Sequence, residues 1–128
     1  MTPVGQIIQT GQNVFGFGGT GAYFGSLGVV IYTPNGPAQI PFEGGELCIN
    51  PLGRRESHVI PATGGSPTDP CGAQFFIDIL AYSAGQLGGN PAPFLQTPGQ
   101  RVHMQWWSHD VQPALSYLSP AIGYNVCP

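Results

Sequence analysis

Residues 108–110, Ser108-His109-Asp110, place the three side chains of a serine hydrolase in one short run. On a strand, however, neighbouring side chains leave opposite faces, and working triads draw their members from separate elements. No G-x-S-x-G elbow accompanies them. They are expected to be a strand end, with Asp110 accepting backbone hydrogen bonds in the turn that follows. A thiol nucleophile would need Cys48, Cys71 or Cys127 beside His58, His103 or His109, which spacing alone leaves open. No C-x-x-C pair or close Cys/His spacing suggests zinc. His103 and His109 lie too far apart on a strand to chelate one ion, so neither metal nor cofactor is expected. Glu43 and Glu46 flank a glycine turn, a slight cue for glycoside hydrolysis. Residues 16–21, GFGGTG, match the dinucleotide pattern G-x-G-x-x-G. Strand formers follow where a helix should begin, and residues 35–42 contain no acid for the ribose. These glycines are expected to be bulges or a flexible edge.

The element that must position the candidate residues is the stretch 100–110, QRVHMQWWSHD, which holds both tryptophans and two of the three histidines. A period of two puts Val102, Met104 and Trp106 on one face and His103, Gln105 and Trp107 on the other. The first face is expected to be core. The second is the candidate ligand or interface face, with Trp107 as a platform on which a sugar ring could stack.

Composition removes whole classes of partner. Charged residues make up 7% of the 128-residue chain, against roughly 25% in an ordinary domain. There is no lysine, and Arg54, Arg55 and Arg101 are the only cations. So few cations cannot neutralise many phosphates, which argues against nucleic acid, and they cannot form a polybasic membrane contact. No apolar run approaches the roughly 20 residues of a membrane helix. No signal peptide opens the chain, and Met1-Thr2-Pro3-Val4 reads as a mature or trimmed start.

The chain carries 20 glycines and 14 prolines, yet 11% of it is aromatic and its apolar residues fall in short runs. That combination describes a turn-rich all-β domain rather than disorder. Residues 22–33 are the longest apolar stretch, and 34–37 and 44–45 are turn signals. Residues 61–72 are a loop by composition. Residues 73–82 alternate as a strand, although their spacing also fits a helix. Residues 83–99 are turn-rich with a helical turn at most, 113–120 connect, and 121–126 form a last strand. The expected fold is an antiparallel β-sandwich, immunoglobulin-like or jelly-roll-like, of about eight strands. Residues 1–12 would be an N-terminal arm or edge strand and 13–128 the single domain. Val4, Ile7 and Ile8 are the apolar candidates for an assembly arm.

Four motifs occur in a fixed order: GELCINPLGR (45–54), DPCG (69–72), QWWSHD (105–110) and LSPAIGYNVCP (118–128). In that order they resemble an uncharacterised module near the C-termini of secreted proteins from planctomycete-type and related aquatic bacteria. The likeness covers roughly residues 22–128. His109 departs from it, standing where the module commonly has arginine. The resemblance carries no enzymatic activity; it implies an extracellular, disulfide-containing β-sandwich with Cys71 paired to Cys127. Counting alone leaves the three cysteines open.

The leading expectation is a non-catalytic extracellular structural domain at the bacterial surface, a subunit of a polymer, filament or coat that self-assembles through strand contacts. Sheet edges are commonly guarded by charge, lysine above all, and this chain has little to guard with. The alternative is a carbohydrate-binding module built on Trp107; a small hydrolase is a remote third.

Overall fold

The computed structural model describes residues 6–10, 14–42, 45–109, 116–119 and 121–126. Among them the chain runs through β1 (Gln6–Thr10), β2 (Val14–Ala22), β3 (Leu27–Thr33), β4 (Pro37–Phe42), β5 (Gly45–Ile49), β6 (Arg55–Glu56), β7 (Ile60–Pro61), β8 (Thr63–Ser66) and β9 (Asp69–Asp78). Then come α1 (Ile79–Ser83), a 3-10 turn (Pro93–Gln96), β10 (Arg101–His109), β11 (Ser116–Leu118) and β12 (Ile122–Asn125). The fold is all-β, antiparallel and sandwich-like. It has more strands than the expected eight because several are only two or three residues long. Composition also assigns 61–72 to a loop, whereas the structure pairs β8 with β9 there, turning between Ser66 and Asp69. The Ser66 hydroxyl accepts from the Asp69 N–H at 3.1 Å, which supplies the turn. Among the described residues no helix is long and apolar enough to cross a membrane.

Two main sheets form. The first has the order β1-β2-β9-β8. In the second, β3 and β10 pair centrally, β6 and β7 share the outer edge of β3, and β11 and β12 share the outer edge of β10. The hairpin β4–β5 is a third, smaller layer.

The two sheets meet through the expected core face of β10. Val102, Met104 and Trp106 are fully or almost fully buried, among Phe17, Val30, Tyr32, Phe75 and Ile77. Trp106 stacks on Phe75 with centroids 5.1 Å apart and lies 5.6 Å from Phe17. The glycine-rich run now has a reason. A Cβ on Gly19 would sit 3.4 Å from Trp106, and one on Gly16 would collide with the Phe76 ring on the opposite face. Those glycines belong to β2, an interior strand between β1 and β9, and not to a flexible edge. A bulge is confined to Thr20–Ala22, with Gly21 between.

The strand-or-helix ambiguity of 73–82 resolves at Asp78. Alternation holds through Ala73, Phe75 and Ile77, and then the Asp78 carboxylate accepts from the Ala81 N–H at 3.1 Å and caps α1. A buried hydrogen-bond chain ties α1 to both flanking segments. The Ala92 N–H donates to Tyr32 Oη at 3.2 Å, the two tyrosine hydroxyls meet at 2.9 Å, and Tyr82 donates to the Glu56 carbonyl at 3.3 Å.

On the far face of β10, Gln105 is fully buried. Its Oε1 accepts from the Cys48 N–H at 3.0 Å, and its Nε2 donates to the carbonyls of Glu46 at 2.9 Å and Ser119 at 2.6 Å. One amide thus joins hairpin β4–β5, the central sheet and the segment after β11. Leucine fills similar space but removes three hydrogen bonds to the backbone, so Gln105→Leu is expected to destabilise the fold by about 3 kcal/mol, measured by urea unfolding.

Candidate functional site

The outward row of β10 is Arg101, His103, Gln105 and Trp107. Hairpin β4–β5 crosses it at Gln105, packing Leu47 and Ile49 onto Ile31, with Val29, Trp107 and Leu118 at the margin. Gln105 is therefore a clamp inside the fold and presents nothing to a ligand. One cleft opens beside the hairpin at His103, and another at Trp107.

The first cleft, of about 660 Å³, lies between the hairpin and the β10–β12 ladder and is lined in part by Glu46, Cys48, His103 and Gly123. The Cys48 Sγ lies 3.6 Å from both the carbonyl oxygen and Oε1 of Glu46. Burial and the neighbouring carboxylate raise the thiol above its ordinary value, so it stays protonated at neutral pH. The structure thus brings Cys48 and His103 to one cleft, but an acid beside the sulfur opposes the thiolate that nucleophilic chemistry needs.

His103 stands opposite Gly123 in the ladder. A Cβ there would lie 2.9 Å from His103 Nε2 and 2.8 Å from Arg101 Nη2, so the glycine makes room for both side chains. Burial, followed by the Arg101 charge, lowers the His103 pKa. Among the described residues its buried Nδ1 has no hydrogen-bond partner. An orphan N–H there would cost more than an orphan lone pair, which favours the neutral tautomer protonated on Nε2.

The second cleft, of about 260 Å³, is bordered by Leu27, Val29, Val59, Trp107 and Glu56. Trp107 is half-buried here, one side against the hairpin cluster. Ser108 is buried in the central sheet, and Gly28 and Tyr117 are its cross-strand neighbours. Asp110 and Glu43 lie outside the described residues. Among the described residues no group of three His, Cys, Asp or Glu side chains could hold a metal ion.

The Cys71–Cys127 pairing is corrected. Cys71 is a free, exposed thiol on β9, in the outer hairpin of the first sheet. The last described strand, β12, belongs to the other sheet. Cys127 itself lies outside the described residues. Cys48 is also free.

The sheet edges differ in how they are guarded. β6 and β7 have two residues each and carry Arg55, Glu56 and Pro61. In β8, Gly64 and Gly65 have φ of 79° and 75°, and the register with β9 shifts between Gly64 and Ser66. β11 and β12 have three and four residues. β1 has no such device: QIIQT pairs with β2 in unbroken register from Gln6↔Gly18 to Thr10↔Val14. Ile7 and Ile8 are therefore in an edge strand of their own domain, while Val4 lies outside the described residues. Composition shows which residues lack charge, but only the pairing shows which strand is left at an edge.

No family model, curated protein or solved structure matches the chain.

The depressed His103 pKa has a definite linkage. Between the folded value and the ordinary 6.5 the unfolded chain binds the extra proton, so stability is full above pH 6.5 and falls as pH drops through that window. His103→Gln is expected to flatten the acid side of a Tm-against-pH curve; an unchanged slope would remove His103 as its source.

Proposed function

We propose that this chain is a non-catalytic structural domain that assembles with copies of itself through the outer edge of β1. The observation that carries the reading is the five-residue, uncharged, unbroken edge of that strand. Strand addition satisfies a row of backbone donors and acceptors and needs no dedicated side-chain site. Elsewhere in the described sheets the edges are short, bulged, or marked by charge and proline. A symmetric contact between two β1 strands would join two four-stranded sheets into one. The ordered motifs shared with the secreted bacterial module support an extracellular setting at a cell surface, as part of a polymer, filament or coat.

Light scattering across a concentration series tests this. The wild-type protein is expected to gain mass with concentration, and Gln6→Lys with Gln9→Lys to remain a single chain with an unchanged near-ultraviolet circular dichroism spectrum. A wild type that stays monomeric, or a variant that associates equally, would overturn the reading.

A second reading, carbohydrate binding, is favoured by one specific feature: the half-buried Trp107 ring lies in an apolar cleft with the Glu56 carboxylate at its border. Aromatic stacking and a nearby acceptor suit a sugar ring. On a glycan array, Trp107→Ala should abolish any hits; hits that survive it, or none at all from the wild type, would exclude this reading.

A further inference from the structure

The cleft between hairpin β4–β5 and the β10–β12 ladder has chemistry that the assembly reading does not use. Its volume of about 660 Å³ falls within the range of sites for small organic ligands. Opposite sides carry opposite polarity. On the ladder side stand the Arg101 guanidinium and, in its neutral tautomer, the His103 Nε2–H, both leaning over Gly123. Both of these side-chain groups donate. On the hairpin side stands the exposed Glu46 carboxylate, an acceptor, with the Cys48 thiol 3.6 Å from its Oε1.

Neither charge has an ionic partner among the described residues, where the one ion pair is Arg54–Glu56 at 3.6 Å. Only 7% of the chain is charged, so a cation and an anion about one cleft are not the by-product of a crowded charged surface. Between them stand Pro37, Ala38, Ala121 and Ile122, with the Gln39 amide as one further polar group.

The geometry points to a binding site for a short zwitterionic peptide, its carboxylate held by Arg101 with His103 and its ammonium by Glu46. Arg101 suits the carboxylate because its planar fork can donate two parallel hydrogen bonds. Cys48 acts as a positioning residue that holds the Glu46 carboxylate towards the cleft. Small apolar side chains of the peptide lie against the proline, alanine and isoleucine between the poles. A ligand with only one charge engages half of the site.

Isothermal titration calorimetry on the full chain tests this with trialanine, N-acetyl-trialanine and trialanine amide. Free trialanine is expected to bind about tenfold more tightly than either blocked form, the loss of one charge-assisted contact. In Glu46→Gln the free and acetylated peptides should bind alike, and in Arg101→Gln the free and amidated peptides should bind alike. Both side chains are exposed, and near-ultraviolet circular dichroism will show that each variant keeps its tryptophan packing. No binding of trialanine, equal binding of all three peptides to the wild type, or variants that keep the full discrimination would each overturn the proposal.

Discussion

Trp106 occupies the space between the two sheets, and its ring needs a flat surface on the opposite side. With no exposed area, it stacks on Phe75, leans on Phe17 and passes over Gly19, where a Cβ would already touch it at 3.4 Å. Among the described residues the indole Nε1 has no partner, a cost that the large buried aromatic surface offsets. Its backbone is held as firmly: the Trp106 N–H donates to Ser119 Oγ at 2.9 Å, and the Ser119 N–H donates to the Trp106 carbonyl at 3.0 Å. The ring sets the sheet spacing, and the Ser119 clasp ties the segment after β11 to the same residue.

Once Trp106 faces inward, the alternation of β10 sends Gln105 outward, where solvent would ordinarily meet it. Instead a third layer crosses the strand, and the Gln105 amide supplies the hydrogen bonds that hold it. That crossing divides the outer face of the central sheet. On one side remain His103, Glu46 and Cys48, with the Arg101 guanidinium over Gly123; on the other remains Trp107 with Val59 and Glu56. The cleft at His103 is a consequence of where this hairpin sits.

Scarcity of charge gives the remaining charges unusual weight. Arg54 and Glu56 pair with each other near the short β6 edge, and the Arg55 Nη2 donates to the Asn90 carbonyl at 2.9 Å. The first sheet receives no such guard along β1. Among the described residues β1 ends its sheet without charge, bulge or proline, an edge that invites another strand, whereas the left-handed glycines of β8 twist the opposite edge out of register.

Much of the architecture was legible in the sequence because period-two alternation is a local property. The all-β class, the buried face of Val102, Met104 and Trp106, and the strand at Phe75 and Ile77 all follow from side chains leaving a pleat on alternate sides. The glycine run had a readable cue as well, since glycines spaced along a strand leave bare backbone for a ring to cover, although nothing local says which ring. What only the tertiary structure decided depends on neighbours distant in the chain. The β4–β5 hairpin covers Gln105 and leaves Trp107 half-open, Cys48 and Glu46 share one cleft with His103, Cys71 stands free, and β1 is left at the end of its described sheet. Alternation tells a residue which side of its own strand it faces; what covers that side is settled by contacts between residues as far apart as Cys48 and Gln105.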